Sequence, residues 1–209
     1  MVALDITHAV AAEAIAAGCP LIVSHHPIMN CKWSQVQTVR DDTFQGSLLT
    51  RLLRANVSAI CMHTNLDIAE GGVNDVLAQV LGLQKLERFT SEGVCRCGWR
   101  AEPMALPEFV RFVSKTLGCN GVRYADAGKP VHRVAVGGGA CGEFEDAAIA
   151  AGCDTFVTSD LSYHQFVDAK VKGINLVDAG HFPTEDPVCE KVIAFLAGRF
   201  PDLQIQKSA

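Results

Sequence analysis

Apolar and amphipathic stretches alternate along the chain, and this alternation predicts strands separated by helices. Short apolar stretches predict strands at Val2–Leu4, Leu21–Ser24, Val57–Met62, Val134–Val136, Phe156–Ser159 and Ile174–Asp178. Stretches with apolar residues at helical spacing predict helices from Asp41 or Asp42 onward and at Ala9–Ala17, Val73–Leu81, Pro107–Leu117, Phe144–Ala151, Tyr163–Lys172 and Pro187–Leu196. Strands that alternate with helices in this way are typical of an α/β fold with mostly parallel sheets.

Residues suited to helix ends flank the first two predicted helices. Asp5 or Thr7 can cap the first helix, because both side chains can accept a backbone N–H group at a helix start. Gly18 suits the left-handed conformation in which many helices end. Asp41 or Asp42 can cap the second helix in the same way as Asp5 or Thr7.

One six-residue segment occurs twice in the chain. Ala14–Cys19 recurs letter for letter as Ala148–Cys153, and a predicted strand precedes and follows each copy. The matching flanks indicate two related halves, since a chance match between Ala-rich segments would not extend to them. We therefore expect two similar α/β subdomains at 1–90 and 91–209, with the C-terminal helix able to pack back on the first.

Composition argues against several classes of protein. The 209 residues are 49% hydrophobic and 20% charged, which is enough apolar surface for a folded core. With 18 Lys and Arg against 23 Asp and Glu, the net charge of −5 argues against binding nucleic acid through its phosphates. The sequence also lacks an apolar run of about 18 residues, the length of a membrane span, and the features of a signal peptide. We expect a cytoplasmic protein with no membrane partner.

The cysteines do not form a disulfide pattern. There are nine, an odd number at scattered spacing, and several lie within apolar stretches where a thiol packs as a small hydrophobic group. Cys95 and Cys97 are too close for the usual Cys-x-x-Cys of zinc or redox sites. We expect these two residues to lie in a strand.

Histidines gather at the carboxyl ends of the predicted strands, where α/β proteins place their sites. Five of the seven lie at or shortly after such an end, namely His25, His26, His63, His164 and His181. Two carboxylates accompany them, Asp67 after His63 and Glu185 after His181. Histidine with carboxylate, without thiolate, is the ligand set of a hydrolytic Zn, Fe or Mn site.

The adjacent pair His25 and His26 favours more than one ion. Neighbouring side chains on an extended segment point in opposite directions, so a single ion cannot easily bind both. Two ions, or one ion with the second histidine in a supporting role, fit this pattern better. Two metals about 3.5–4 Å apart with a bridging carboxylate are a known hydrolytic arrangement, and Asp67 or Glu185 could supply the bridge.

At these loops the sequence resembles the Nif-three-like family, whose members are also described as GTP cyclohydrolase I type 2 homologues or dinuclear metal-centre proteins. The resemblance spans essentially the whole chain. Its motifs are Ile22–Pro27, His63–Asp67 with Gly71–Asp75, and Asp178–Glu185. Thr158–Asp160 with Tyr163 and His164 also match, although the family usually has Gly at the position of Ser159.

The resemblance implies two similar α/β subdomains, two divalent metal ions between them and a ring-shaped homohexamer. The metal ligands that it implies are His25, His26, Asp67, His181 and Glu185. His63 would lie beside the metals without being a settled ligand. Family members normally carry about forty further residues before the position of Met1, so we expect this chain to lack an N-terminal helix and strand.

These observations favour a metal-dependent hydrolase of a small phosphorylated or nucleotide-like substrate. His63 and His164 are candidate general bases, because the pKa of imidazole is about 6.5, and Asp160 and Thr184 are candidate substrate contacts. A non-enzymatic metal-binding or scaffold protein is the alternative. A second alternative is a nucleotide-binding module, because Gly137–Gly142 fits G-x-G-x-x-G between a strand and a helix.

Overall fold

The computed structural model describes residues 1–29 and 38–209. Contacts divide the chain into two compact units, the first comprising Met1–Leu66 with Cys189–Ala209 and the second Asp67–Val188. The division at 1–90 and 91–209 stays a prediction. Within the described ranges, no helix is both long and apolar enough to cross a membrane.

The first unit contains a three-stranded parallel sheet in the order β1-β2-β3. Its elements are β1 (Val2–Ala3), α1 (His8–Ala16), β2 (Leu21–Ser24), α2 (Phe44–Arg54), β3 (Ser58–Cys61) and the start of α3 (Thr64–Ile68). Ile22 of β2 is fully buried in a core that includes Ala14 of α1 with Leu48 and Leu52 of α2. These helices therefore cover β2, whereas β3 is exposed along its length.

Threonines cap α1 and α2 of the first unit. The Thr7 hydroxyl accepts a hydrogen bond from Val10 N–H at 3.1 Å, so Thr7 rather than Asp5 caps α1. The Thr43 hydroxyl accepts from Gly46 N–H at 3.2 Å, so the expected start of α2 at Asp41 or Asp42 is wrong. The helix begins after Thr43 because this side chain satisfies its first N–H groups.

The second unit contains a six-stranded mixed sheet in the order β4-β5-β7-β8-β9-β6. Its elements are α4 (Val73–Val80), β4 (Gln84–Arg88), β5 (Arg96–Met104), α5 (Leu106–Leu117), β6 (Arg123–Ala125), β7 (Val131–Val136), α6 (Glu145–Ala150), β8 (Thr155–Thr158), α7 (Tyr163–Lys172), β9 (Asn175–Asp178) and α8 (His181–Glu185). The last helix is α9 (Pro187–Arg199). β8 pairs in parallel with β7 and β9, and the remaining pairs are antiparallel. The α/β class is confirmed.

The repeated six-residue segment has the same local structure in both units. Cys19 N–H donates to Ala14 O at 2.8 Å, and Cys153 N–H donates to Ala148 O at 3.0 Å. Both alanines are fully buried, and a parallel strand follows each copy, β2 beside β1 and β8 beside β7. This agreement supports the internal duplication inferred from the sequence.

Both faces of the central strands in the second unit are buried. Val134 and Val136 of β7 pack with Phe109 of α5, whereas Ala135 between them packs with Ala148 of α6 in a second core cluster. Successive side chains of a strand point to opposite faces of the sheet, so a strand with helices on both faces buries all of them. The loops that follow β8 and β9 carry the polar side chains of Asp160 and His181, whereas the segment after β7 is rich in glycine.

The cysteines of the described residues are free thiols, as their spacing predicts; Cys31 lies outside these residues. Cys97 lies in β5 as expected, but the expectation is wrong for Cys95, which directly precedes the strand. Together with Cys141 and Cys153, both are buried in the core cluster that includes Ala148 of α6.

Candidate metal centre

Three histidines of the first unit lie together where β2 and β3 end. His25 and His26 follow β2 directly, and His63 follows β3. The strands are parallel with Ser24 opposite Cys61, so their carboxyl ends meet at one edge. Each histidine offers a ring nitrogen, and the three nitrogens lie within 4.8 Å of one another. This group can bind a metal ion.

The hydrogen bonds of His25 and His26 define which nitrogen can bind a metal. His25 Nδ1 lies 2.7 Å from Met62 O, and because a carbonyl oxygen only accepts, Nδ1 carries the proton and donates it. His26 Nδ1 lies 2.8 Å from Oδ1 of Asp5. Both bonds leave Nε2 as the nitrogen with a lone pair for a metal ion.

Asp5 lies beside the predicted ligand His26, although the sequence pattern suggested it only as a helix cap. It follows β1, which pairs with β2 so that Ala3 lies opposite Ser24. His26 N–H also donates to Leu4 O at 2.9 Å. The parallel register therefore brings Asp5 beside His26, and the signal that could have found it is its position just after a strand that neighbours β2.

In the second unit, His181 and Glu185 lie four residues apart on one face of α8. His181 Nε2 is 3.2 Å from Oε2 of Glu185, and His181 Nδ1 is 2.5 Å from Oδ2 of Asp160. The bond to Glu185 raises the pKa of His181, partial burial opposes this, and the bond to Asp160 raises it further, to about 9. Without a metal, His181 is therefore protonated at neutral pH between two carboxylates.

Asp178 holds together the two loops that carry Asp160 and His181. Its carboxylate is buried at the end of β9 and accepts from Leu161 N–H at 3.1 Å and from Gly180 N–H at 3.2 Å. It also pairs with Arg123. Because each N–H group belongs to a residue next to Asp160 or His181, this carboxylate fixes the distance between those two side chains.

Asp67 lies half-buried in α3, at the start of the second unit. The backbone just after it is anchored, because Ile68 O accepts from Arg88 at 3.0 Å and from the buried guanidinium of Arg96 at 3.3 Å. Arg96 is in turn paired with Asp75, which accepts from Gly71 N–H at 2.7 Å. The predicted ligand Asp67 is therefore positioned by a buried ion pair that the sequence analysis did not identify.

A sequence profile described as Duf34/NIF3 (NGG1p interacting factor 3) matches residues 1–209. The chain belongs to the Duf34/NIF3 family. A relative from Clostridium perfringens is 33% identical over 199 residues, covering 92% of this chain and 75% of the relative. One from Nostoc is 32% identical over 200 residues, with the same shares. Both are named GTP cyclohydrolase 1 type 2 homolog, so the resemblance identified from the sequence is confirmed.

Solved structures confirm the fold of this Duf34/NIF3 chain. A Staphylococcus aureus hypothetical protein superposes with a TM-score of 0.91 at 26% identity, covering all of this chain and 83% of that one. A Bacillus cereus protein related to NIF3 superposes with a TM-score of 0.89 at 23% identity, covering all of this chain and 85% of that one. The second likeness bears on the fold alone.

The remaining candidates from the sequence occupy different environments. His63 is exposed, and its ring centroid lies 5.1 Å from that of His25. His164 is exposed in the first turn of α7 and contacts the ring of Tyr163. Asp160, rather than His164, bonds to His181. Thr184 is 1% exposed in α8, which leaves almost no surface for contact with a substrate.

The glycine-rich segment of this Duf34/NIF3 chain uses its N–H groups within the protein. Those of Gly137, Gly138 and Gly139 donate to Val157 O, Asn74 Oδ1 and Thr184 Oγ1, at 3.0, 2.7 and 3.0 Å. A phosphate-binding loop instead presents such groups to the ligand. This conformation therefore does not support a nucleotide-binding module at Gly137–Gly142.

Proposed function

We propose that this Duf34/NIF3 chain binds two divalent metal ions, Zn, Fe or Mn. The proposed ligands are His25, His26, Asp67, His181 and Glu185. One observation carries the proposal: in each histidine ligand, Nδ1 lies within hydrogen-bond distance of an oxygen atom. This oxygen belongs to Met62 for His25, to Asp5 for His26 and to Asp160 for His181. Histidines that bind metals typically anchor their other ring nitrogen in this way, which fixes the ring and directs Nε2 to the ion.

The donor set fits such ions. Imidazole nitrogen with carboxylate oxygen, and no thiolate, suits Zn, Fe(II) and Mn. His181 lies between Glu185 and Asp160, which raise its pKa because they attract positive charge. The same two carboxylates would favour a cation in place of the proton.

We further propose that the loaded protein hydrolyses a small phosphorylated or nucleotide-like substrate, in keeping with the name GTP cyclohydrolase 1 type 2 homolog carried by its relatives. Bound divalent ions supply Lewis-acid chemistry, which polarises the scissile bond and strengthens water as a nucleophile. His63 is the candidate general base favoured by its surroundings, because it is exposed and close to His25. His164 is the second candidate base, and exposed Asp160 a candidate substrate contact.

A homo-oligomer, with the hexamer as the expected form, is part of the proposal. One face of α7 carries an exposed apolar stripe, formed at successive turns by Tyr163, Val167 and Val171. Exposed apolar stripes of this kind favour association with another protein surface. Light scattering should then give a mass well above the 22.4 kDa of one chain, and a monomer at micromolar concentration would contradict this part of the proposal.

The experiment that tests the function loads purified protein with Zn, Mn or Fe(II) and screens hydrolysable phosphate esters and nucleotides. We expect hydrolysis by the loaded protein and none by Glu185→Gln, which keeps the side-chain shape but loses the charge that binds the ion. His63→Ala should lower turnover while keeping the metal. A protein that holds two ions and hydrolyses nothing would favour the non-enzymatic metal-binding role instead.

A further inference from the structure

The glycine-rich segment packs against the proposed ligands of α8. A Cβ atom at Gly139 would lie 2.2 Å from Oε1 of Glu185 and 2.9 Å from Nε2 of His181. Gly139 also has a left-handed backbone, with φ of 65°. A Cβ atom at Gly138 would lie 3.2 Å from Cγ of Glu185. The backbone at these two positions therefore forms a wall against which the Glu185 carboxylate rests.

Thr184 ties this wall to α8. Its hydroxyl accepts from Gly139 N–H at 3.0 Å and can donate its single proton to Gly180 O at 2.9 Å or His181 O at 2.8 Å. Thr184 directly precedes Glu185 and is almost completely buried. One hydroxyl thus links the helix that bears both ligands to the glycine at which a Cβ atom would collide with both of them.

The other end of the wall is fixed independently. Gly138 N–H donates to Oδ1 of Asn74 at 2.7 Å, and Asn74 lies fully buried in the first turn of α4. Gly137 N–H donates to Val157 O in β8 at 3.0 Å. Since these bonds hold residues 137 and 138, the Thr184 hydroxyl sets where α8 lies against the wall.

We propose that Thr184 is a positioning residue that orients Glu185 and His181 for metal binding through its hydrogen bond with Gly139. This inference rests on the proposed function, because it requires those two side chains to be ligands. Thr184 contacts neither a metal ion nor a substrate in this role. Metal sites need ligands held within about 0.5 Å of their binding geometry, so loss of the Thr184–Gly139 bond should weaken metal binding.

The test measures zinc affinity by competition with a chromophoric chelator, at a temperature where every variant is folded. Thr184→Val keeps the side-chain shape and removes the hydroxyl, so we expect zinc to bind about 10–100-fold more weakly. Thr184→Ser restores the hydroxyl and should restore affinity. Thermal midpoints of the metal-free proteins separate this effect from a purely structural role, which would lower the midpoint and leave the affinity unchanged.

A second pair of variants tests the wall itself and decides the matter if Thr184→Val does not fold. Gly139→Ala and Gly118→Ala both place a side chain on a left-handed backbone, with φ of 65° and 66°. A Cβ atom at Gly118 has no neighbour within 4 Å among the described residues. We expect only Gly139→Ala to weaken zinc binding.

The outcomes separate this inference from the function on which it rests. Wild-type protein that binds no zinc, Mn or Fe(II) would overturn both. Wild-type protein that binds zinc, with Thr184→Val and Gly139→Ala binding it equally well, would overturn the role of Thr184 alone.

Discussion

Asp160 accepts a hydrogen bond from Nδ1 of His181 over 2.5 Å while its own backbone is left-handed, with φ of 55°. Residues other than glycine seldom adopt this conformation, although Asp and Asn do so more often than most. Such strain costs of the order of 1–3 kcal/mol and is commonly found at functional sites. The turn after β8 thus stores strain in order to place a carboxylate against a proposed metal ligand.

Loss of the Asp160 carboxylate should weaken metal binding. Asp160→Ala removes the acceptor that orients the His181 ring, so we expect zinc affinity to fall about tenfold or more. Asp160→Asn should have a smaller effect, because it keeps an acceptor oxygen and tolerates the left-handed backbone. Chelator competition measures both, with exposed Asp126→Ala as the control. Equal affinities for Asp160→Ala and Asp126→Ala would contradict this role.

Removal of the buried Asp178 carboxylate should destabilise the second unit. Asp178→Ala leaves the N–H groups of Leu161 and Gly180 without their acceptor, at a cost of about 1–3 kcal/mol in the free energy of unfolding. Urea unfolding of the metal-free protein measures this change. Asp168→Ala, at an exposed position of α7, is the matched control and should change stability little. The same small change in both variants would show that Asp178 does not hold the two loops.

The buried Arg96–Asp75 pair should matter more than an exposed pair of the same chemistry. Their side chains are 3% and 13% exposed, so Arg96→Met leaves an unpaired carboxylate in the interior and should cost about 3–5 kcal/mol. Arg40→Met breaks the pair with Asp42, whose side chains are 68% and 61% exposed, and should change stability little because solvent screens this pair. Unfolding free energies compare the two. Similar losses would be inconsistent with a structural role for the Arg96 network.

Cys97 should titrate at lower pH than an ordinary thiol. The Cys153 thiol donates to it, burial opposes ionisation, and the Arg133 guanidinium lies 4.0 Å from its sulfur, so the pKa of Cys97 falls to about 7. The same bond and burial raise the pKa of Cys153. Ultraviolet absorbance of the thiolate should rise near pH 7 in the wild type but not in Cys97→Ser. Arg133→Met should move the rise to higher pH.

This shift also predicts how stability depends on pH. The pKa of Cys97 is lower in the folded chain than the value of about 8.5 for an unfolded one. Its contribution to stability is therefore fully present above about pH 8.5 and lost as the pH falls through 7. Above pH 8.5 the raised pKa of Cys153 has the opposite effect, because it lowers the free energy of unfolding as the pH rises. A stability difference between wild type and Cys97→Ser that is constant from pH 6 to 8.5 would contradict the low pKa.

Periodicity predicted the elements that carry a clear apolar signal. The helix over Tyr163–Lys172 was predicted with the bounds that it has, and β2 and β9 lie where their apolar runs occur. β4 gave no such signal, because Gln84–Arg88 is an edge strand of mostly exposed polar residues. The five-residue helices α3 and α8 are too short for helical spacing to be recognised.

The sequence indicated the histidines and carboxylates of the site but not the bonds that orient them. Asp5 and Asp178 act through pairings that depend on strand register and loop proximity, which periodicity does not specify. Gly139 looked like part of a nucleotide-binding motif, whereas in the structure its N–H group bonds to Thr184. Such roles arise from tertiary contacts between segments far apart in the sequence.

The number of metal ions per chain decides whether these histidines and carboxylates form a dinuclear metal centre. Native mass spectrometry of the protein after loading with Zn, Mn or Fe(II) should give close to two ions per chain. Occupancy should fall sharply in His181→Ala and Glu185→Gln, while His164→Ala, an exposed histidine outside the proposed ligands, should keep both ions. Wild-type protein that stays metal-free under all three conditions, or His181→Ala loaded as fully as wild type, would show that this chain has no such metal centre.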